Sequence, residues 1–326
     1  MRLAILSGIF WVIFPMYSQI KLFGEAQGTT YSIQYYDSLS RDLQTEIDSV
    51  LYFFDLGVSI YQARSQITLI NKNESVTANN PYFINCFNVS KLIWKQTNGA
   101  FDPTVYPLAN VWGFGPEANK KAKPSPSHID SILSFVGFSK INLINFQIIK
   151  EDPRIQLDFN AFAQGYSVDI VAKYLEDQGI SNYLIEIGGE VFAKGPNWLI
   201  GIESPEYNEH QLNSIQLLIQ LNNKGVATSG NYRKYNEYEG VKYAHHIDPK
   251  TGYPAKNRLL SATVISNQTI IADATATGLL VLGLRKAKRY IKKHQEIAAL
   301  LIYSKKSGEF NRYYSKNWNY NVKVFD

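Results

Sequence analysis

Asp273 and Thr277 stand four residues apart in IIADATATGLLVLG, residues 270–283. On a helix that spacing puts a carboxylate and a hydroxyl on one face. Both are hard oxygen donors of the kind Mg2+ accepts, its other ligands coming from water and substrate phosphates. Spacing alone leaves a second reading open, in which Asp273 caps the helix and Thr277 bonds back to the backbone. In LDFNAFAQGYSVD, residues 157–169, Asp158 closes an expected strand over Gln156–Phe159, and Asn160 and Ala161 form a tight passage into a helix. Small residues there let backbone groups approach a ligand, and the helix amino terminus beyond favours an anion; an ordinary strand–turn–helix is the competing reading. In VATSGNYRKY, residues 226–235, Thr228 and Ser229 offer hydroxyl and amide donors as a phosphate cradle. Gly188-Gly189 marks a place where a chain or ligand passes close to the backbone.

AHHIDPKTGYP, residues 244–254, holds two of the five histidines. Pro249 and Gly252 frame a tight turn. A two-histidine metal site is disfavoured, because adjacent residues on an extended segment point to opposite sides. One ring is expected to face a site as donor or proton shuttle, with His245 the candidate and His246 the bystander.

Several elements must position these groups. Thr30–Tyr36 reads as a strand. Leu43, Ile47, Val50, Leu51 and Phe54 fall at helical spacing, and a second helix through Phe83–Trp94 ends near Asn98-Gly99. GAFDPTVYPLANVWGFGP, residues 99–116, reads as an ordered loop, and residues 119–127 as a surface excursion. A helix from Ala163 through Leu175 is stopped by Gly179. Further strands are expected over 182–191, 199–203, 215–221, 260–265 and 298–303, and helices over 271–282 and 285–294. Mixed helices and strands without a regular βαβ rhythm predict an α+β fold.

The chain has 326 residues, 45% of them hydrophobic. Its net charge of +5 comes without a long basic tract, so no nucleic-acid partner is expected. Arg285, Lys286, Lys288, Arg289, Lys292 and Lys293 read as the wet face of a helix. Cys86 is the only cysteine, which excludes an internal disulfide and Cys-based zinc sites. Arg2, the apolar run Leu3–Phe14 and Ser18 have the layout of a secretory signal peptide. The expected organisation is therefore a signal peptide over 1–18 and one domain over 19–326, exported to the periplasm. Membrane association is expected only if the segment stays uncleaved.

Taken in order, GAFDPTV, LDFNAFAQGYSVD, IEIGGEV, VATSGNYR, HHIDPKTGYP and ADATAT resemble the FAD:protein FMN transferase family, ApbE. The resemblance spans nearly all of residues 19–326. It implies an ApbE-like, T-fold-like set of mixed sheets with packed helices, forming a single catalytic unit. It implies Mg2+ as cofactor and FAD as substrate. The implied reaction moves FMN onto a threonine hydroxyl of an envelope redox protein and releases AMP. Mg2+-dependent hydrolysis of FAD to FMN and AMP, or non-catalytic flavin binding in the periplasm, are the alternatives. Residue by residue, Tyr61 matches the position beside the flavin. Ala100, Phe101, Asp102, Asp158 and Ile247 match FAD contacts. Ala161, through its carbonyl, and Asp273 and Thr277 match metal ligands. Gln164 replaces a frequent Lys or Glu, Gln27 a common Met, and Glu190 the usual Asp.

Overall fold

The structure, a computed structural model, describes residues 18–115, 123–196, 198–203, 215–231 and 235–324. Apart from Ser18, the expected signal segment lies outside the described residues. In chain order the strands are β1 (Ser18–Ala26), β2 (Thr29–Asp37), β3 (Ile141–Ile144), β4 (Gln147–Lys150), β5 (Tyr183–Ile187), β6 (Glu190–Lys194), β7 (Trp198–Glu203), β8 (Ile215–Leu221), β9 (Lys224–Gly230), β10 (Tyr235–Tyr238), β11 (Val241–Ala244), β12 (Leu259–Ser266), β13 (Ala298–Ser304), β14 (Phe310–Tyr314) and β15 (Asn321–Val324). The helices are α1 (Gln44–Val58), α2 (Gln66–Asn71), α3 (Pro81–Gln96), α4 (Tyr106–Val111), α5 (Pro126–Leu133), α6 (Ala163–Asp177) and α7 (Thr269–Lys293).

One eight-stranded sheet, β1-β2-β5-β6-β9-β12-β13-β14, organises the molecule, and every pairing in it is antiparallel. The expected mixed sheets are thus antiparallel, within the α+β class. Alternation along β9 divides its residues between two layers. Ala227 packs with Ala272, Ala276 and Leu279 under α7, whereas Val226 packs with Leu217 and Ile219 of the three-stranded sheet β15-β8-β7. Val168, Val171 and Leu175 of α6 cover β2 and β5. A third cluster joins α3 to the 99–115 and 155–163 segments. No helix among the described residues is long and apolar enough to cross a membrane.

Several expectations are redrawn locally. The 99–116 loop contains a 3-10 turn at Pro103–Val105 and then α4. Ser125, expected in a surface excursion, caps α5 by accepting from His128 N. Gln156–Phe159 joins no sheet; Asn71 substitutes for a partner strand, its side chain bonding both Leu157 N and Leu157 O at 2.8 Å. The VATSG segment, expected as a phosphate cradle, forms the end of β9. The two expected late helices are both present in α7, broken at Gly283 (φ 71°), where Asn257 Nδ2 donates to Leu280 O.

Asp37, at the end of β2, is 4% exposed and takes bonds from Arg41 N, Nε and Nη2. Arg41 also donates to Gln178 O beyond α6. This clamp holds the Asp37 carboxyl down at about 2, chiefly through the Arg41 side-chain hydrogen bonds. A depressed folded-state pKa gives stability that is present above the ordinary carboxylate range and lost as pH falls through about 2. Asp37→Asn is expected to lose about 1–2 kcal/mol at pH 7. Denaturant midpoints of the two proteins should converge as pH falls from 5 towards 2.

Candidate functional site

The amino-terminal end of α7 is fixed from outside itself. Asp169, on α6, accepts from Thr269 N at 2.7 Å and Ile270 N at 2.9 Å. It supplies the cap that Gln268 does not, and burial pushes its carboxyl up to about 6. Gly165 allows the two helices to touch: a Cβ there would stand 2.8 Å from Asp273 Cβ. Gly165 N donates to Asp273 Oδ2 at 3.1 Å.

One turn along α7, Thr277 Oγ1 donates to Ala161 O at 3.3 Å. Ser229 Oγ, from the α7-facing side of β9, lies 3.2 Å from Thr277 Oγ1. Ala161, Asp273 and Thr277, taken from segments more than a hundred residues apart, therefore meet on one side of the α6–α7 contact. Glu190 joins them. The β5–β6 hairpin turns through Gly188 and Gly189, both at positive φ, and delivers Glu190 as the first residue of β6. Glu190 is 8% exposed, and its Oε2 is buried without a hydrogen-bond partner among the described residues. Burial, and then the charge of Asp273, pushes Glu190 well above the carboxylate range. Burial likewise raises Asp273, against the opposing bond from Gly165.

These donors fit a hard divalent cation. They are a carboxylate, a carbonyl and two hydroxyls, all oxygen. Two buried carboxyls held near each other are stabilised by a positive charge, and Glu190 Oε2 still lacks a partner. Among the described residues no group of three His, Cys, Asp or Glu forms a competing metal cluster. Ala161, Asp273 and Thr277 would hold Mg2+, with Ser229 and Glu190 beside them. Glu190, Gly165 and Asp169 were not singled out as site residues in the sequence. Their roles depend on contacts across α6, α7 and β6 that local spacing does not encode.

Other expected contacts are distributed differently. Thr228 and Ser229 do not form a common cradle. Strand alternation turns Thr228 to the opposite face, where its hydroxyl lies 2.8 Å from Thr263 Oγ1. Asp102 is spent internally: Oδ1 accepts from Thr104 N and Oγ1, and Oδ2 from Phe138 N. Phe101 is 3% exposed, edge-on to Phe162 at 5.5 Å. Of the Ala-Phe-Asp run, Ala100 borders a cavity of about 360 Å3. Gln164 covers the turn, filling the space a Gly188 side chain would take.

Tyr61 is 65% exposed. Its phenol is raised by partial burial and then by the Asp158 charge, against a hydrogen bond with Asn160. Asp158 accepts from Asn160 N at 2.8 Å, and burial carries its carboxyl to about 6. Tyr61, Asp158 and the passage to Ala161 thus form one continuous rim. Tyr61→Ala is expected to weaken FAD binding by about tenfold or more, with Tyr61→Phe close to wild type. Quenching of flavin fluorescence reads both.

The paired histidines depart from expectation. β11 ends at Ala244, so the extended geometry does not continue through them. The two rings lie on the same side, centroids 3.9 Å apart, and Phe114 meets His245 at 6.2 Å. His246 is 6% exposed, and burial holds it well below the usual histidine value, with His245 adding to the effect. A neutral His246 packed on His245 fixes the neighbouring ring. Ile247 is buried and bridges to Pro254, and Gly252 O accepts from Trp112 Nε1. Ile247 therefore anchors the loop, and its side chain belongs to the core.

The ApbE family model matches residues 27–301. A curated FAD:protein FMN transferase of Vibrio cholerae is 36% identical over 314 residues, covering 92% of each chain. Another from Haemophilus influenzae is 37% identical over 302 residues, covering 87% of this chain and 86% of that one. The solved flavin transferase ApbE from Vibrio cholerae superposes with a TM-score of 0.82 at 35% identity, covering 93% of this chain and 99% of its own.

Proposed function

The chain belongs to the ApbE family of FAD:protein FMN transferases, and on that premise we propose that it transfers FMN from FAD to a threonine hydroxyl of an acceptor flavoprotein, with Mg2+ bound and AMP released. The observation that carries this reading is the meeting of Ala161 O, Thr277 and Ser229 beside the buried carboxyls of Asp273 and Glu190. The exposed ring of Tyr61 gives the isoalloxazine a stacking surface. Asp158 adjoins that ring, and Ser229 would donate to a phosphate oxygen.

Mg2+ on the oxygen cluster supplies neutralisation of diphosphate charge. The acceptor oxygen attacks the FMN phosphorus, forming one P–O bond. The bond from that phosphorus to the bridging oxygen breaks, and the electron pair leaves with AMP. The hydroxyl proton passes to the His245 ring, which neutral His246 holds in place. No covalent enzyme residue is needed, because the nucleophile arrives with the partner.

The basic and apolar amino-terminal segment supports export, placing the enzyme in the periplasm with an acceptor of the cell envelope, or at the inner membrane if the segment is retained. AMP release from FAD, followed chromatographically with and without an acceptor flavoprotein, tests the reaction. Release that depends on acceptor supports transfer. Equal release without acceptor would make the chain an FAD pyrophosphatase.

A further inference from the structure

The cavity bordered by Ala100 also reaches Val281, one helical turn beyond Thr277 on α7. It thus opens alongside the oxygen cluster, and its remaining walls are unusual. Lys286, Arg289 and Lys293 share one face of α7 beyond the break at Gly283, and Lys250 faces them from the histidine loop. All four are exposed, and none forms an ion pair with a described residue. The one acid in the lining, Asp248, accepts from Lys250 N within the turn. Four cations converge on about 360 Å3 with no ion-pair partner among the described residues.

The aromatic groups there point away from a nucleobase as occupant. Tyr290 is 7% exposed, with its hydroxyl on Gln96 and its ring against His294 at 4.1 Å. His294 in turn contacts Glu296. The two rings stack on each other, whereas flexible exposed cations suit carboxylates that arrive from solvent.

We propose that this cationic cavity receives an acidic segment flanking the acceptor's target hydroxyl, and so docks the acceptor beside the FMN site. The inference rests on the transfer reading above, and it adds the charge character of the partner. Long-range attraction to such a surface also raises the encounter rate and weakens with salt.

The test uses the full-length protein and a variant combining Lys286→Glu, Arg289→Glu and Lys293→Glu, whose sites are exposed. Melting curves confirm that the variant folds. The probes are a short synthetic peptide with one threonine among aspartates, and its counterpart with asparagines in their place. Wild type is expected to bind the acidic peptide about tenfold tighter than the neutral one, and the variant to lose that preference with FAD affinity unchanged. Equal binding of the two peptides by wild type, no binding of either, or a preference retained by the variant overturns the proposal. A parallel loss of FAD or AMP affinity in the variant also overturns it, by assigning the cavity to the dinucleotide. Peptide binding is read without turnover, so its failure leaves the transfer reading standing. Binding without transfer to any acceptor would count against transfer alone.

Discussion

Asp273→Asn is expected to remove FMN transfer by about three orders of magnitude or more, yet to leave a folded and, without added metal, more stable protein. The asparagine side chain keeps an oxygen to accept from Gly165 N, so the α6–α7 contact survives. What it lacks is the charge that draws a cation to Ala161 O and Thr277. The stability gain follows from burial, which raises the Asp273 carboxyl above its unfolded value. A raised carboxyl gives full stability below the ordinary carboxylate range and progressively loses it as pH climbs through the folded value. At neutral pH the metal-free wild type therefore carries a penalty that asparagine escapes. Melting temperatures with and without Mg2+ check this: the cation should stabilise wild type and leave Asp273→Asn unmoved. A Mg2+-induced rise of equal size in both proteins would contradict the assignment of the ligand.

Gly165→Ala has the second largest expected effect, and it acts without replacing a ligand. The new Cβ would lie 2.8 Å from Asp273 Cβ and 2.8 Å from the Thr269 carbonyl oxygen. One of those neighbours is backbone, so a rotamer change cannot relieve the contact. The helices must separate, at about 1–3 kcal/mol. Separation also carries Asp273 away from Ala161 O, and a displacement near 1 Å lowers turnover by about a hundredfold. Denaturant melts and transfer rates measured together should both fall. Wild-type turnover in a destabilised variant would show that the α6–α7 spacing does not set the site.

The sequence was most informative where a local pattern and a local outcome coincide. Apolar spacing and Gly179 defined α6, and the break near Gly283 was visible as two separate helical patterns. The Asp273 and Thr277 pair was visible too, because four residues is one helical turn. It failed where the conformation depended on partners far along the chain. Thr228 and Ser229 looked like joint donors of one phosphate cradle, but pairing with β12 makes them a strand and sends them to opposite faces. His245 and His246 looked like opposite faces of a strand, but the strand ends one residue earlier. Asp102 was legible as a residue, but the bond that its carboxylate accepts from Phe138 N, 36 residues on, was not. Glu190 followed a legible Gly-Gly turn, yet its proximity to Asp273 arises only when β6 packs beneath α7.

The oxygen cluster at the head of α7 is proposed to drive FMN onto a protein hydroxyl. Intact mass of an acceptor flavoprotein domain, after incubation with FAD and this protein, tests it most directly. With Mg2+ present, the acceptor should gain the mass of one FMN residue, located on a threonine, and the gain should vanish with a chelator or with Asp273→Asn. An unmodified acceptor under conditions where FAD is bound, or modification that proceeds equally with Asp273→Asn, would contradict the account.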